Sequence, residues 1–300
     1  MSYNPFMVLI TRAIVDLLED NPTVMEIGNQ TFGPETALKQ VIERSRGDDR
    51  FDIEGLEKLD RMSRKERVQL TSKYYECLGF TDYKTIDANE RYDSLVMDLQ
   101  KDIRRDYGYT ETFSLVTNNG TGEHVFDQYS VFRNVHNLTK KNGIMVHILP
   151  GVGHVNHGFY NYQPNVFQSL ARTNDYRIIA LGYGQRMGYG VIGDENPAVE
   201  RLSPCLLDEQ RIDQNELYEQ PRVGRPGPLG GLTSKIRRAM GYSTGRNAIG
   251  QLLADYEARF RRLAIFAVLR KLSDNEFRAP FQDHYLKDIS DPQMRAEYTQ

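Results

Sequence analysis

The sequence predicts an α/β domain with a mostly parallel sheet covered by helices on both faces. Short apolar runs of strand length alternate with stretches of helical periodicity, which is the pattern of parallel βα repeats. Several of these runs end in glycine or a carboxylate, as strands do when they feed a ligand-facing turn. The chain has 300 residues, enough for one large core or two smaller ones. Its 41 acidic and 38 basic side chains leave a net charge of -3, which gives no general basic field for a nucleic-acid backbone. The longest apolar runs fall far short of the ~18 residues of a membrane span.

The elements follow in order. Phe6, Leu9, Ile10, Ile14, Leu17 and Leu18 recur at helical spacing, and Asn21-Pro22 stops the pattern. Thr23 to Gly28 is a short apolar run ending in glycine, the expected first strand. Residues 29–62 read as polar and irregular, after which Ser63 and Glu66 resemble a capping box opening a helix that runs to Leu78 and stops at Gly79. Tyr83 to Asp87 is the second strand, and Ser94 to Leu99 supplies a third short run. Phe113 to Thr117 is the fourth, broken by the turn residues Asn118-Asn119-Gly120-Thr121-Gly122. Val125, Phe126, Tyr129, Phe132, Val135 and Leu138 mark a helix with Lys140 and Lys141 at its end and Gly143 as its stop.

Ile144 to Leu149 is the fifth strand, residues 164–174 a helix, Arg177 to Leu181 the sixth strand and Arg262 to Leu272 the last. Between the last two strands, Pro221 to Gly231 resists regular structure, Lys235, Arg237, Arg238 and Arg246 are locally basic, and Asn247 to Phe260 reads as a returning helix. The chain thus divides into an N-terminal helix (1–22), a core (23–184), an inserted cap or loop region (185–261) and a last strand with a C-terminal tail (262–300). Cys77 and Cys205 are too few for a disulfide framework, and the first residues lack the basic start of a secretory leader. A cytoplasmic protein is expected.

Candidate chemistry gathers at strand ends. Glu26 and Gly28 stand at the first turn, where glycine either lets a nucleotide approach the backbone or serves a structural turn, and Asp87 ends the second strand, either as a carboxylate that accepts from both ribose hydroxyls or as a solvated strand-end acid. Five of the six histidines lie between His124 and His157, and Pro150 to Pro164 follows a strand's carboxyl end, where open α/β sheets bind ligands. His154 and His157 suit a general base, beside a structural or substrate-positioning role. A metal held by these two with Glu123 or Asp127 is a weaker alternative and none is assigned, because spacing does not show that they converge. His136 and His147, inside a helix and a strand, read as hydrogen-bonded packing residues, Cys77 as a small hydrophobe, and Tyr160 and Tyr162 as loop anchors or stacking platforms.

This order of parts resembles the class I S-adenosylmethionine-dependent methyltransferases. The matching pieces are Val24-Met25-Glu26-Ile27-Gly28, Thr85-Ile86-Asp87, Phe113 to Asn119, Gly143 to Pro150 and the closing Arg262 to Leu272, over residues 20–184 and 262–290. More narrowly, Gly120 to Gln128 and His154 to Asn161 look like segments of methyltransferase-like proteins encoded with bacterial surface-polysaccharide genes. The resemblance implies a Rossmann-like core with seven strands that binds S-adenosylmethionine and methylates an oxygen or nitrogen acceptor, a small molecule or sugar. Carried over by position, Glu26 and Gly28 would line the methionine end of the cofactor, Asp87 would hold its ribose, and Asn118 and Asn119 would follow the fourth strand. Two departures stand out. Asn29-Gln30-Thr31-Phe32 replaces the usual glycine-rich turn, and two neutral asparagines stand where many members keep an acid or an aromatic. The rival expectation is a non-catalytic Rossmann-like binding or scaffold protein whose altered first motif no longer holds the cofactor.

Overall fold

The computed structural model describes residues 2–3, 5–32, 36–185, 188–191, 263–282, 285 and 288–299. The expected α/β architecture is present. The strands are β1 (Ser2–Tyr3), β2 (Thr23–Ile27), β3 (Thr31–Phe32), β4 (Asp82–Asp87), β5 (Leu95–Val96), β6 (Phe113–Asn119), β7 (Thr139–Val152), β8 (Tyr176–Gln185), β9 (Gly188–Val191) and β10 (Leu263–Lys271). The main sheet has the order β5-β4-β2-β6-β7-β10-β8-β9, while β1 and β3 form a separate two-stranded pair. Neighbours from β5 through β7 are parallel. β10 runs antiparallel between β7 and β8.

Seven strands of this sheet are the seven expected ones. The eighth, β9, folds back on β8 and pairs Gly190 with Tyr183, within the region expected to be an insertion. Its Gly-Tyr-Gly-Val sequence is short and half glycine, a residue depleted in strands, so it carries no strand signal of its own. The basic residues Lys235, Arg237, Arg238 and Arg246, the expected helix 247–260 and Cys205 lie outside the described residues.

Two apolar layers sandwich the sheet. On one face lie α1 (Pro5–Val15), α2 (Thr36–Ser45), α3 (Ile53–Arg61) and α5 (Thr71–Cys77), which bury Met7, Ile10, Leu38, Val41, Leu56, Leu59 and Tyr74. On the other, α6 (Ile103–Tyr107), α7 (Gln128–Leu138) and α8 (Pro164–Thr173) bury Ile103, Val131, Val135, Phe167 and Leu170. β2 alternates between the layers: Val24 joins the first cluster, Met25 and Ile27 the second. A further helix, α9 (Pro292–Thr299), lies in the expected tail.

Several local expectations are corrected. Residues 29–62 are not irregular but contain α2 and α3, whose few apolar positions sit among charges; Asp52 caps α3 by accepting from the Gly55 N–H at 2.8 Å. The capping box is real, since Glu66 Oε2 accepts from the Ser63 N–H at 2.8 Å and its hydroxyl at 2.7 Å. It opens only the short α4 (Arg64–Arg67), because the Val68 carbonyl accepts from the Phe32 N–H at 3.3 Å instead of continuing a helix to α5. Likewise α7 starts at its cap Asp127, which accepts from the Ser130 N–H at 3.1 Å, and ends at Leu138. Lys140, Lys141 and Gly143 belong to β7, where the pairing with β6 jumps from Phe113↔Thr139 to Leu115↔Ile144. That bulge brings the Ser114 and Lys140 carbonyls to 3.0 and 2.9 Å from where a Cβ on residue 143 would lie, a space only glycine leaves.

Candidate active site

The strand order reverses between β2 and β6, and a cavity of about 640 Å³ opens beside this switch point at the carboxyl ends of the strands. Its walls come from Gly28 after β2, Asp87 at the end of β4, Val96 to Gln100 from β5 onward, and Thr121, His124, Val125 and Phe126 after β6. A volume of this size suits a ligand as large as a nucleoside.

Gly28 has φ 84° and donates its N–H to the Ile86 carbonyl at 2.6 Å. Asp87 Oδ2 accepts from the Asn29 N–H at 2.9 Å, and Oδ1 accepts from the Asn89 side chain at 2.6 Å. The residues in place of a glycine-rich turn have defined work. Asn29 Nδ2 reaches Asn89 Oδ1, the Arg91 carbonyl and Ser94 Oγ at 3.1 to 3.2 Å. Gln30 Nε2 donates to the Gly28 and Asn119 carbonyls at 3.2 and 2.9 Å. The turn therefore binds neighbouring loops with side-chain amides, where a glycine-rich turn would present bare backbone.

Three expected cofactor contacts fall elsewhere. Glu26 does not line the cavity. It lies fully buried, accepting from the Tyr83 and Tyr75 hydroxyls at 2.7 and 3.1 Å, because period-two alternation turns it to the face opposite Ile27. Burial pushes its carboxyl up to about 7. Asn118 is buried as well; its Oδ1 accepts from the Gly122 N–H at 3.0 Å and its Nδ2 meets His147 Nδ1 at 3.3 Å. Asn119 Nδ2 donates to Gln30 Oε1 at 3.4 Å. These asparagines shape the loop after β6 from within, and neither is on the cavity wall.

The histidines do converge, around a residue that carried little weight in the sequence. Glu123, in a 3-10 turn at Gly122–His124, has a side chain with 0% exposure. Its Oε1 lies 3.3 Å from His157 Nε2 and 3.6 Å from His124 Nε2. Neither carboxylate oxygen has a hydrogen-bond partner among the described residues. Burial pushes this carboxyl up to about 7, and burial followed by the nearby His157 lowers the His124 imidazole. His154 packs its ring 5.6 Å from that of His157. The loop after β7 is fastened here: the Phe159 N–H donates to the Glu123 carbonyl at 2.8 Å, and the Tyr160 hydroxyl to the Phe126 carbonyl at 2.8 Å. Tyr162 is buried and donates to Gln128 Oε1 at 2.6 Å, so both tyrosines anchor the loop. Asp127 is spent capping α7.

His136 and His147 are packing residues, as expected. His136 Nδ1 meets the Tyr176 hydroxyl at 2.6 Å and its Nε2 the Asn275 carbonyl at 2.8 Å. Cys77 is buried on α5. No described helix is long and apolar enough to cross a membrane.

No family model matches the sequence, and no curated protein matches it. Among solved structures, the chain is similar to the plantazolicin methyltransferase BamL in complex with a desmethyl analogue and S-adenosylhomocysteine, at 7% identity and a TM-score of 0.42 over 90% of this chain and 84% of that one. It is similar to the O-methyltransferase of a trans-AT PKS multienzyme from Brevibacillus brevis, at 10% identity and 0.35, over 86% and 70% of the two chains. Phosphoethanolamine N-methyltransferase 2 from Haemonchus contortus overlaps at 12% identity and 0.39, over 89% of this chain and 53% of that one. Likeness at this level says nothing of chemistry, which rests on this chain's own residues.

Proposed function

We propose that the chain binds S-adenosylmethionine in the switch-point cavity and transfers its methyl group to an oxygen or nitrogen acceptor. The observation that carries this reading is the Asp87 carboxylate on the wall of a nucleoside-sized cavity that the apolar residues Val96, Met97 and Leu99 also line. Asp87 keeps acceptor capacity beyond its bonds to Asn29 and Asn89, since a carboxylate offers about four lone-pair directions. It would accept from ribose hydroxyls while the apolar wall holds adenine, and Gly28 would let the methionine end pass close to the backbone.

When bound, the cofactor supplies a methyl group on a sulfonium centre that is open to in-line displacement. The protein's part is alignment, which lowers the barrier without many catalytic groups. His157, held beside Glu123, or the adjoining His154, neither of them on the cavity wall, would take the proton that the oxygen or nitrogen acceptor loses. Phe126 and Phe159, 67% and 66% exposed and meeting edge-on at 5.7 Å, form an apolar rim on which a sugar ring stacks. A sugar acceptor of surface-polysaccharide type, handled in the cytoplasm, is the substrate class that the sequence resemblance implies.

A specific contact favours the rival, a binding or scaffold protein: Thr121 fills the space beside Gly28 that a cofactor would approach. Calorimetric titration with S-adenosylmethionine and S-adenosylhomocysteine separates the two. Binding that is weakened in Asp87→Ala supports the enzyme. No heat and no thermal stabilisation with either ligand makes the scaffold reading the better one.

A further inference from the structure

We infer that Glu123, His124 and His157 form a binding site for a divalent transition ion of the Zn²⁺ class, at the edge of the cavity. The donor atoms of all three lie within 4.8 Å of one another. A tetrahedral ion with bonds near 2.1 Å sets its ligands about 3.4 Å apart, and the Glu123–His157 and Glu123–His124 separations are 3.3 and 3.6 Å. The donor set of two imidazoles and one carboxylate is one that Zn²⁺ takes at catalytic sites, with a fourth position left for water or substrate.

Glu123 supplies the independent observation. A carboxylate with 0% exposure whose two oxygens accept no hydrogen bond among the described residues is costly unless a charge compensates it, and both imidazoles are turned to that same carboxylate. A dication between the three groups would satisfy it. The turn at Gly122–His124 and the loop carrying His157 are held together by the Phe159 N–H bond to the Glu123 carbonyl, so the donors are gathered before an ion arrives. Gly158 permits the approach, because a Cβ there would lie 2.8 Å from both Glu123 Cγ and Glu123 O.

His124 also lines the cavity, so the open position would take an oxygen donor of the bound molecule. His157 would bind the ion through Nε2, the nitrogen 3.3 Å from Glu123 Oε1, and that nitrogen would then have no lone pair to take a proton. With metal present, the ion would lower the acceptor's pKa, where the imidazole alone would take its proton.

The test uses the full chain and Co²⁺, whose visible absorption reports its coordination, followed by displacement with Zn²⁺. One equivalent of Co²⁺ is expected per chain, with affinity reduced more than tenfold in both His157→Ala and Glu123→Gln. His157 is 42% exposed on a loop, so its replacement leaves the core intact, and circular dichroism checks this. No uptake by the wild-type chain, or unchanged affinity in either variant, overturns the site. Because metal alone is the probe, a chain that binds S-adenosylhomocysteine but no ion defeats this site only, and the reverse result defeats only the methyl-transfer reading.

Discussion

Thr121 Oγ1 occupies the place a Cβ on Gly28 would need, at 2.0 Å from it. The contact joins the turns after β2 and β6 across the switch point, and Gly28 also holds φ 84°. Gly28→Ala is therefore expected to destabilise the fold by about 2 to 4 kcal/mol, from left-handed backbone strain plus overpacking. Adding Thr121→Ala should restore part of the loss, since it removes the overpacking and leaves the strain. Chemical denaturation of the single and double variants measures this, and a Gly28→Ala protein as stable as wild type would refute the packing account.

Asp87→Ala should weaken S-adenosylhomocysteine binding by about 1.5 to 3 kcal/mol, the scale of hydrogen bonds to a charged acceptor. Asp87→Asn keeps an oxygen for the Asn29 N–H and should lose less. Calorimetry of both variants separates a lost ligand contact from a loosened turn. Equal affinity in all three proteins takes Asp87 out of the site.

Glu26 gives stability a pH dependence of definite sign. Its folded pKa, pushed up by burial to about 7, lies above its ordinary value of 4.5, so the folded state holds a proton that the unfolded state releases between those limits. Its contribution is most favourable below pH 4.5 and declines as pH rises to about 7, by about 1.4 kcal/mol per unit. Glu26→Gln should therefore gain on wild type by roughly 3 kcal/mol between pH 4.5 and 8. Paired urea melts across that range test it, and a constant difference would contradict the assignment.

His136 and His147 act in the opposite direction. Burial, with Lys271 and Arg104 adding to it at His136, brings their imidazoles down from 6.5 to about 4 and about 3, against a smaller opposing pull from Asp274 and the Asn275 carbonyl. The unfolded state then binds more protons as the pH falls below 6.5, and each histidine should remove about 1.4 kcal/mol of stability per unit down to its folded pKa. His136→Gln should flatten this acid slope by about half, which melts between pH 4 and 7 would show.

The sequence determined seven strands of the sheet and their succession along the chain, while their order in the sheet came from the tertiary structure. Runs such as Thr23 to Gly28 and Phe113 to Thr117 are apolar on both faces and end in turn residues, a local signal that survives whatever packs around it. It determined the Ser63–Glu66 capping box for the same reason, because that contact closes within one turn. α2 and α3 escaped notice because a short helix with few apolar positions among charges is held by tertiary burial rather than by its own pattern. Only the folded chain could decide the site. Glu26, legible as a motif residue, was turned to the far face by strand alternation, and Asn118 and Asn119 were drawn inward to brace a loop. Glu123 gained its place beside His124 and His157 because the loop after β7 folds onto the turn after β6. Convergence across 34 residues, from Glu123 to His157, leaves no periodicity in a sequence; it exists once two strand ends lie side by side.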